Sequence, residues 1–272
     1  MNKQILITGS TDGIGKLAAI QLAKLGHQVY LHGRNPEKLA AAISDVKAAS
    51  QNEAVNGFIA DLSNLNAVQQ MAEEIKSKVS KLDVLINNAG VFNSPVNQAA
   101  NGLDIRVVVN YLAPYLLTKE LLPLLKAASN ARIVNLSSAA QAPVDYQIFD
   151  GQVSGNAQQV YAQSKLALTM WSIGLAQQLE GISVVPVNPG SLLNTKMVQE
   201  AYGRFWSAAD KGANILSELA IDPMHEGITG KYFDNDLGNP KGAFAPAHPN
   251  ATDEDLIEEL LDWTNTTLTA LT

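Results

Sequence analysis

Short, unbroken apolar runs alternate along this chain with longer stretches of helical periodicity, and no other feature constrains the fold as tightly. The runs occupy residues 4–8, 28–32, 55–59, 84–86, 132–136, 183–187 and, more weakly, 231–233. Between most of them, at 14–25, 36–49, 65–79 and 103–126, apolar residues recur at helical spacing. A strand that is apolar on both faces must be covered on both, which calls for a parallel sheet between two layers of helices. Right-handed crossovers then wind the sheet outward in both directions from a central point. The pattern predicts one α/β domain over residues 1–272, a doubly wound (Rossmann) parallel sheet of about seven strands with helices on both faces. Ligands of such a sheet sit beyond the carboxyl ends of its strands. Hydrophobic residues, at 46% of the chain, suffice to fill that core.

Some stretches break the rhythm. Residues 139–159 are polar, carry Pro143, Gly151 and Gly155, and separate a strand from a helix; they are expected to form a substrate-side insertion, a flap or pocket wall. Residues 191–225 are expected to supply a substrate loop and its helices. Residues 238–250 hold three prolines and no periodicity, after which 253–264 reads as an amphipathic helix with acidic residues in its first turn.

Composition removes several kinds of chemistry. Without cysteine there are no disulfides, thiol nucleophiles or cysteine-ligated zinc. The histidines His27, His32, His225 and His248 are scattered and form no HxxxH pair, so no metal site is expected. A net charge of −7 argues against nucleic acid as a partner. No apolar run reaches the ~18 residues of a membrane span. The first apolar run begins after three residues, leaving no room for a signal peptide. A cytoplasmic location is the expectation.

Thr8-Gly9-Ser10-Thr11-Asp12-Gly13-Ile14-Gly15 follows the first strand and opens the first helix. Glycines in that setting allow a tight turn and bring backbone N–H groups close to a pyrophosphate at a helix N-terminus. The turn at residues 9–15 is therefore read as a dinucleotide site, although a plain tight turn would use the same residues. Which nicotinamide cofactor it takes is decided at the end of the second strand. There an acidic residue would hold the ribose 2′-hydroxyl of NAD, whereas an arginine suits the 2′-phosphate of NADP. Leu31-His32-Gly33-Arg34-Asn35 has no carboxylate, and Arg34 offers a planar, charged fork. NADP(H) is the cofactor expected. Lys16 is either an assistant to Arg34 or a solvated lysine, and His32 reads as a packing residue. Asp61-Leu62, after the third strand, is placed to cap the Asn64 helix, to contact the adenine, or both. Asn88-Ala89-Gly90, after the fourth strand, allows close backbone approach to the cofactor, or simply makes a turn.

Tyr161 and Lys165 stand at i and i+4, so on a helix their side chains share a face. A free tyrosine, with its pKa near ~10, is a poor proton shuttle at neutral pH. A neighbouring ammonium favours the phenolate and is expected to draw that pKa toward the working range. A surface tyrosine beside a solvated lysine is the plain alternative. The pair's place, at the start of a helix beyond the fifth strand, favours the chemical reading.

Together, Thr8–Gly15, Asn87-Asn88-Ala89-Gly90, Asn110, Ser137-Ser138, Tyr161-Ala162-Gln163-Ser164-Lys165 and Asn188-Pro189-Gly190 fall in the order and positions of the short-chain dehydrogenase/reductase family. The chain resembles that family over essentially its whole length. Residues 132–138, 164–167 and 230–233 are most similar to its retinol dehydrogenase-like branch. The resemblance implies that Tyr161 exchanges a proton with the substrate oxygen. By the same resemblance Lys165 lowers the tyrosine pKa and holds the nicotinamide ribose. Ser138, rather than Ser137, would bind the reacting oxygen, and Asn110 would anchor a water that links the lysine to solvent. Pro189, Gly190 and Leu192 would close over the nicotinamide. Thr195 falls five residues after Gly190 where the family commonly has four, and the Ser138-to-Tyr161 interval is longer than in many members. The family also implies association as a homodimer or homotetramer through the tyrosine helix, although core packing would use Leu166, Leu168, Met170 and Trp171 equally.

The function expected is NADP(H)-dependent hydride exchange between the nicotinamide and a small carbonyl or alcohol, most simply an apolar one. A cofactor-binding regulator without turnover and a reductase of carbon–carbon double bonds are the alternatives. An intact Ser138, Tyr161 and Lys165 set counts against the first.

Overall fold

Ile5 and Ile7 point to one side of the first strand and Leu6 to the other, and all three are completely buried. The structure, a computed structural model, describes residues 2–238 and 242–271. Its strands are β1 Gln4–Ile7, β2 Gln28–Gly33, β3 Val55–Ile59, β4 Val84–Asn87, β5 Ala131–Leu136, β6 Ile182–Asn188, β7 Tyr232–Asp234 and β8 Ala243–Ala245. They lie side by side in the order β3-β2-β1-β4-β5-β6-β7-β8. All neighbours through β7 pair in parallel. The chain winds out from β1 to β3, then restarts at β4 on the other side of β1. That reversal opens a crevice at the carboxyl ends of β1 and β4.

Among the described residues there are eight strands, not about seven. The additional one, β8, runs antiparallel to β7. It is three residues long and antiparallel, with no helix among the described residues between it and β7 to mark it in the sequence rhythm. It lies within the proline-containing stretch 238–250, of which residues 239–241 fall outside the described residues.

The helices are α1 Gly13–Lys24, α2 Pro36–Ser50, α3 Leu65–Lys78, α4 Ile105–Val107, α5 Ala113–Lys126, α6 Tyr146–Phe149, α7 Ala157–Gln178, α8 Lys196–Tyr202, α9 Ala209–Ile221 and α10 Glu254–Leu271. Ile5, Ile7, Val29 and Leu31 pack with α1, α2 and α9. Leu6, Tyr30 and Leu85 pack with α3, α5, α7 and α10. The period-two alternation of the strands thus sorts the helices into two layers. Local signals set where several of them begin. Asn35 accepts from the Lys38 N–H with Pro36 following, and Asn64 accepts from the N–H groups of Asn66 and Ala67.

Residues 103–126 are helical as expected, with one irregularity. Between α4 and α5, Val108–Leu112 forms a π-helical turn, and Asn110 is at its centre. Single π turns cluster at functional sites because the extra residue re-aims a side chain.

At the end of the chain α10 closes over α7. Gly174 allows this approach, since an added Cβ there would lie 2.7 Å from the Ile257 side chain. Leu166, Leu168, Met170 and Trp171 of α7 are all buried within the chain. The 139–159 segment is tied to α10. Phe149 is fully buried with its ring 5.2 Å from that of Trp263, and Trp263 Nε1 donates to Asp150 Oδ1 at 2.6 Å. Only the first residues of the segment, Ala139 and Ala140, face the crevice. Of residues 191–225, the part through Trp206 borders the crevice, while α9 packs on α1 and the sheet. No helix among the described residues is long and apolar enough to cross a membrane.

A buried hydroxyl pair joins α10 to the π turn, and its polarity is readable. Thr264 donates to the Leu260 carbonyl at 2.7 Å, so the Tyr111 hydroxyl is the donor in their 2.6 Å contact. Thr264→Val strands that buried O–H and is expected to cost about 1–3 kcal/mol in urea unfolding. Tyr111→Phe leaves the threonine proton satisfied and should cost about 1 kcal/mol. The reverse order would disprove this donor assignment.

Candidate active site

Thr8 ends β1 and begins the site. Its Oγ1 accepts from the N–H groups of Asn88 and Ala89, both at 3.0 Å. Asn88 Nδ2 returns two bonds, to the Thr8 carbonyl at 2.8 Å and the Gly9 carbonyl at 2.9 Å. The glycine turn is thereby tied to the end of β4. Gly9 has φ 61°, and an added Cβ there would lie 2.7 Å from Ala89 Cα. At Gly15 the same test meets the Gly9 carbonyl at 2.8 Å. These two glycines are required by the protein's own packing, before any ligand is considered.

His32 holds the turn from β2. Its Nδ1 accepts from the Gly9 N–H at 3.0 Å, so the ring proton is on Nε2, 3.1 Å from the Ala60 carbonyl. Burial pushes its pKa down to about 4, so the ring stays neutral at working pH. Ser10 turns its side chain inward. Its hydroxyl is fully buried, donates to the Ile7 carbonyl at 2.8 Å and accepts from the His32 N–H at 2.9 Å. It ties β1 to β2 and does not line the cavity.

One cavity of about 710 Å³ runs along the crevice. At one end it meets Gly9, Thr11, Asp12, Gly13, Ile14 and Gly15, and also Arg34, Asp61 and Leu62. Arg34 is exposed and makes no ion pair among the described residues. Lys16 is held elsewhere, 2.6 Å from Asp45 on α2. Asp61 accepts from the N–H and hydroxyl of Ser63 at 2.9 and 2.8 Å, and the α3 cap is Asn64 itself. Asp12 caps α1 by accepting from the Gly13 N–H at 2.7 Å. Across from Gly13 the first atom an added Cβ would meet is Thr195 Cγ2, at 3.9 Å. Thr195 in turn caps α8. Backbone donors at the start of a helix, room beside Gly13 and an unpaired arginine fit a dinucleotide carrying an extra phosphate.

The other end gathers Asn88, Ala89, Gly90, Ser138, Tyr161, Lys165, Pro189, Gly190 and Leu192. Lys165 Nζ lies 5.6 Å from the Tyr161 ring centroid and donates to the Leu136 carbonyl at 2.6 Å. Burial pushes this ammonium's pKa down to about 8. Burial also pushes the Tyr161 phenol up to about 12, against the lowering effect of its hydrogen bond with Ser138. The tyrosine pKa is thus not drawn toward neutrality by the lysine, as the spacing alone implied. In this enclosed site desolvation sets the direction of the shift. Ser138 is braced through its carbonyl by Gln141 Nε2 at 2.8 Å and the Tyr232 hydroxyl at 3.2 Å. Ser137 is turned to α7, against the Lys165 carbonyl and Thr169.

Asn110 stands behind this wall. Its amide donates to the Val91 carbonyl and Ser164 Oγ, both at 3.0 Å, and its Oδ1 accepts from the Val91 N–H at 2.8 Å. A Cβ on Gly90 would sit 3.4 Å from Asn110 Oδ1 and 3.5 Å from Lys165 Nζ, so these groups are stacked closely.

Residues outside the motifs contribute to the wall. Phe92 sets its ring edge-on to Tyr161 at 4.9 Å and 5.7 Å from Tyr202. Arg106 fixes Phe92 through its carbonyl at 2.7 Å while pairing with Asp104 at 3.0 Å. A charged residue inside an otherwise apolar helical stretch was the available clue. Met197, Val198, Tyr202 and Trp206 complete the wall, and α8 buries none of its side chains.

Known proteins resemble this chain over most of its length. The family model described as short chain dehydrogenase matches residues 3–204. Retinol dehydrogenase 13 of Homo sapiens is 32% identical over 278 residues, covering 95% of this chain and 82% of that protein. Polyprenol dehydrogenase of Homo sapiens is 33% identical over 255 residues, 85% of this chain and 76% of that protein. Among solved structures, a short chain dehydrogenase from Escherichia coli CFT073 complexed with NADPH superposes with TM-score 0.72 at 28% identity. It covers 86% of this chain and 97% of its own.

The packing role of the glycines is directly checkable. Gly13→Ala meets only Thr195 Cγ2, at an ordinary contact distance of 3.9 Å, and should cost only the ~1–2 kcal/mol of a left-handed φ. Gly9→Ala adds a backbone collision and is expected to lose at least about 1 kcal/mol more in unfolding without ligand. Equal losses would mean that Gly9 is not held by Ala89.

Proposed function

Because the chain belongs to the short-chain dehydrogenase/reductase family, we propose that this oxidoreductase uses NADP(H) to interconvert a carbonyl and an alcohol on an apolar skeleton. The observation that carries the reading is the convergence of Ser138, Tyr161 and Lys165 at one end of a cavity whose other end carries Arg34. Gly9, Thr11, Asp12, Gly13, Ile14 and Gly15 would cradle the pyrophosphate. Arg34 would take the 2′-phosphate, with Asp61 and Leu62 beside the adenine. Asn88, Ala89, Gly90, Pro189, Gly190 and Leu192 would line the nicotinamide half. Bound there, the nicotinamide supplies a hydride in reduction and accepts one in oxidation.

Tyr161, with its phenol pushed up to about 12, holds its proton at neutral pH and is suited to donate it to a carbonyl oxygen. Ser138, already bonded to that phenol, would share the reacting oxygen. Lys165 remains largely protonated at pH 7, and its charge would favour the phenolate as the proton leaves. Asn110 would keep Val91 and Ser164 in place behind the lysine. The apolar substrate class is supported by Phe92, Ile105, Val109, Met197, Val198 and Trp206 along the wall. The names of the retinol and polyprenol dehydrogenases point to the same class. A cytoplasmic setting belongs to this proposal.

Arg34→Ala should weaken NADPH binding by about 10-fold to 100-fold and NADH far less. Equal losses would remove the phosphate assignment. In the same preparation series, Tyr161→Phe is expected to lower kcat at least about 100-fold while NADPH still binds. Retained turnover would place the proton donor elsewhere.

The pH dependence follows from Lys165. A lysine whose pKa is lowered to about 8 is charged below that pH and loses its proton above it. Reductive kcat/KM is therefore expected to hold through neutral pH and fall above about 8. Lys165→Arg should shift any remaining fall upward. A wild-type profile flat to about pH 10 would contradict this role.

A further inference from the structure

The turn that follows β6, from Asn188 to Ser191, is held mainly by residues it does not contain. Gly190 has φ 120°, and the turn's internal bond runs from the Gly190 N–H to Asn188 Oδ1 at 3.1 Å. Among the described residues, the side-chain hydrogen bonds that hold it from outside come from the last residue of β7 and the segment after it. Asp236 accepts from the Ser191 N–H at 2.9 and 3.1 Å through its two oxygens and from the Ser191 hydroxyl at 2.6 Å. It also accepts from Asn188 Nδ2 at 2.8 Å. That amide donates equally to Asp234 Oδ1, at 2.8 Å, which itself accepts from the Asp236 N–H at 2.9 Å. Buried Asn235 holds the other edge. Its Nδ2 donates to the Pro189 carbonyl at 2.8 Å and the Lys211 carbonyl at 3.1 Å. Its N–H donates to the Asn188 carbonyl at 3.1 Å.

A glycine-containing surface turn is ordinarily the most mobile part of a wall. Here both of its peptide edges are bound, one by a carboxylate in charge-assisted bonds and the other by a buried amide. Lys211 Nζ, 3.9 Å from Asp236, balances part of the charge. Gly190, Ser191 and Leu192 face the cavity, whereas Asp236 and Asn235 do not. Any influence they have on a bound molecule must pass through the turn.

We propose that Asp236, supported by Asn235, is a positioning residue that presets the Pro189-Gly190-Ser191 turn for the nicotinamide half of the cofactor. The inference rests on the proposed function, in which this turn closes over that half. Its cost is borne in the folded protein, so less ordering remains to be done when the cofactor arrives. Asp236→Asn replaces one acceptor oxygen by an NH₂ that faces donors already present, so at least one bond to the turn must open.

The test is calorimetric titration of wild type, Asp236→Asn and Ser191→Ala with NADPH and with adenosine 2′,5′-bisphosphate, which presents only the adenine and phosphate end. Asp236→Asn should weaken NADPH about tenfold and leave the bisphosphate within about twofold. Ser191→Ala keeps the backbone bond and loses the hydroxyl, so its NADPH loss should be smaller, about threefold, again with the bisphosphate unchanged. Equal weakening of both ligands would mean a general loosening and would overturn the proposal, as would unchanged NADPH affinity. If Asp236→Asn does not fold, Ser191→Ala decides alone by the same comparison. A wild type that binds neither ligand would refute the nucleotide reading itself, a result separate from a variant that matches a competent wild type.

Discussion

Thr8 and Asn88 knot the carboxyl ends of β1 and β4 together, and the cavity is built outward from that knot. One threonine oxygen collects two backbone N–H groups from the β4 side, and one asparagine amide returns two bonds to the β1 side. Because the winding of the sheet reverses between these two parallel strands, no covalent neighbour closes the crevice there. The glycine turn takes its path from this contact, and α1 starts where the turn releases it. His32 then fixes the same turn from the β2 side with a neutral ring, so the cradle is braced on two sides without placing a charge beneath it.

At the reacting end the dominant physical term is exclusion of water. A buried ammonium and a buried phenol are each driven toward their neutral forms, one down and one up. Lys165 meets the Tyr161 ring face and a backbone carbonyl rather than the phenol oxygen. The pair is therefore poised by its surroundings as much as by mutual attraction. Phe92 and the Arg106 that secures it help to create those surroundings.

Much of this was legible along the chain because burial on both faces imprints itself on composition. The seven parallel strands and the helices α1, α2 and α3 coincide with apolar runs and helical periodicities to within a residue or two, whereas α10 continues to Leu271, beyond the 253–264 read for it. β8 was invisible because Ala243–Ala245, although apolar, is only three residues long and stands in a proline-containing stretch without periodicity. Within the site, the glycine turn, Arg34, the residues after β4, and the Ser138, Tyr161 and Lys165 set could be located from local motifs. Ser10 could not be separated from its neighbours, since successive residues in a turn point in opposed directions and only the fold shows which one is buried. The π turn around Asn110 leaves no trace in periodicity over so short a span. Asp236 lies 45 residues from the Ser191 it holds, a distance that no local pattern bridges. The direction of the Tyr161 shift depends on enclosure, which spacing does not encode.

The helix α8 buries none of its side chains, and the aromatic groups near its end, Tyr202, Phe205 and Trp206, are about half exposed or more. Its residues are therefore nearly decoupled from the free energy of the fold. Replacements there alter the wall that meets a substrate while leaving the core indifferent. A side chain at Gly9 collides with Ala89 at once. Sequence drift will consequently be fast on the wall that selects the substrate and slow on the cradle that serves every substrate alike. A lineage built on this architecture can change what it acts upon without rebuilding how it acts.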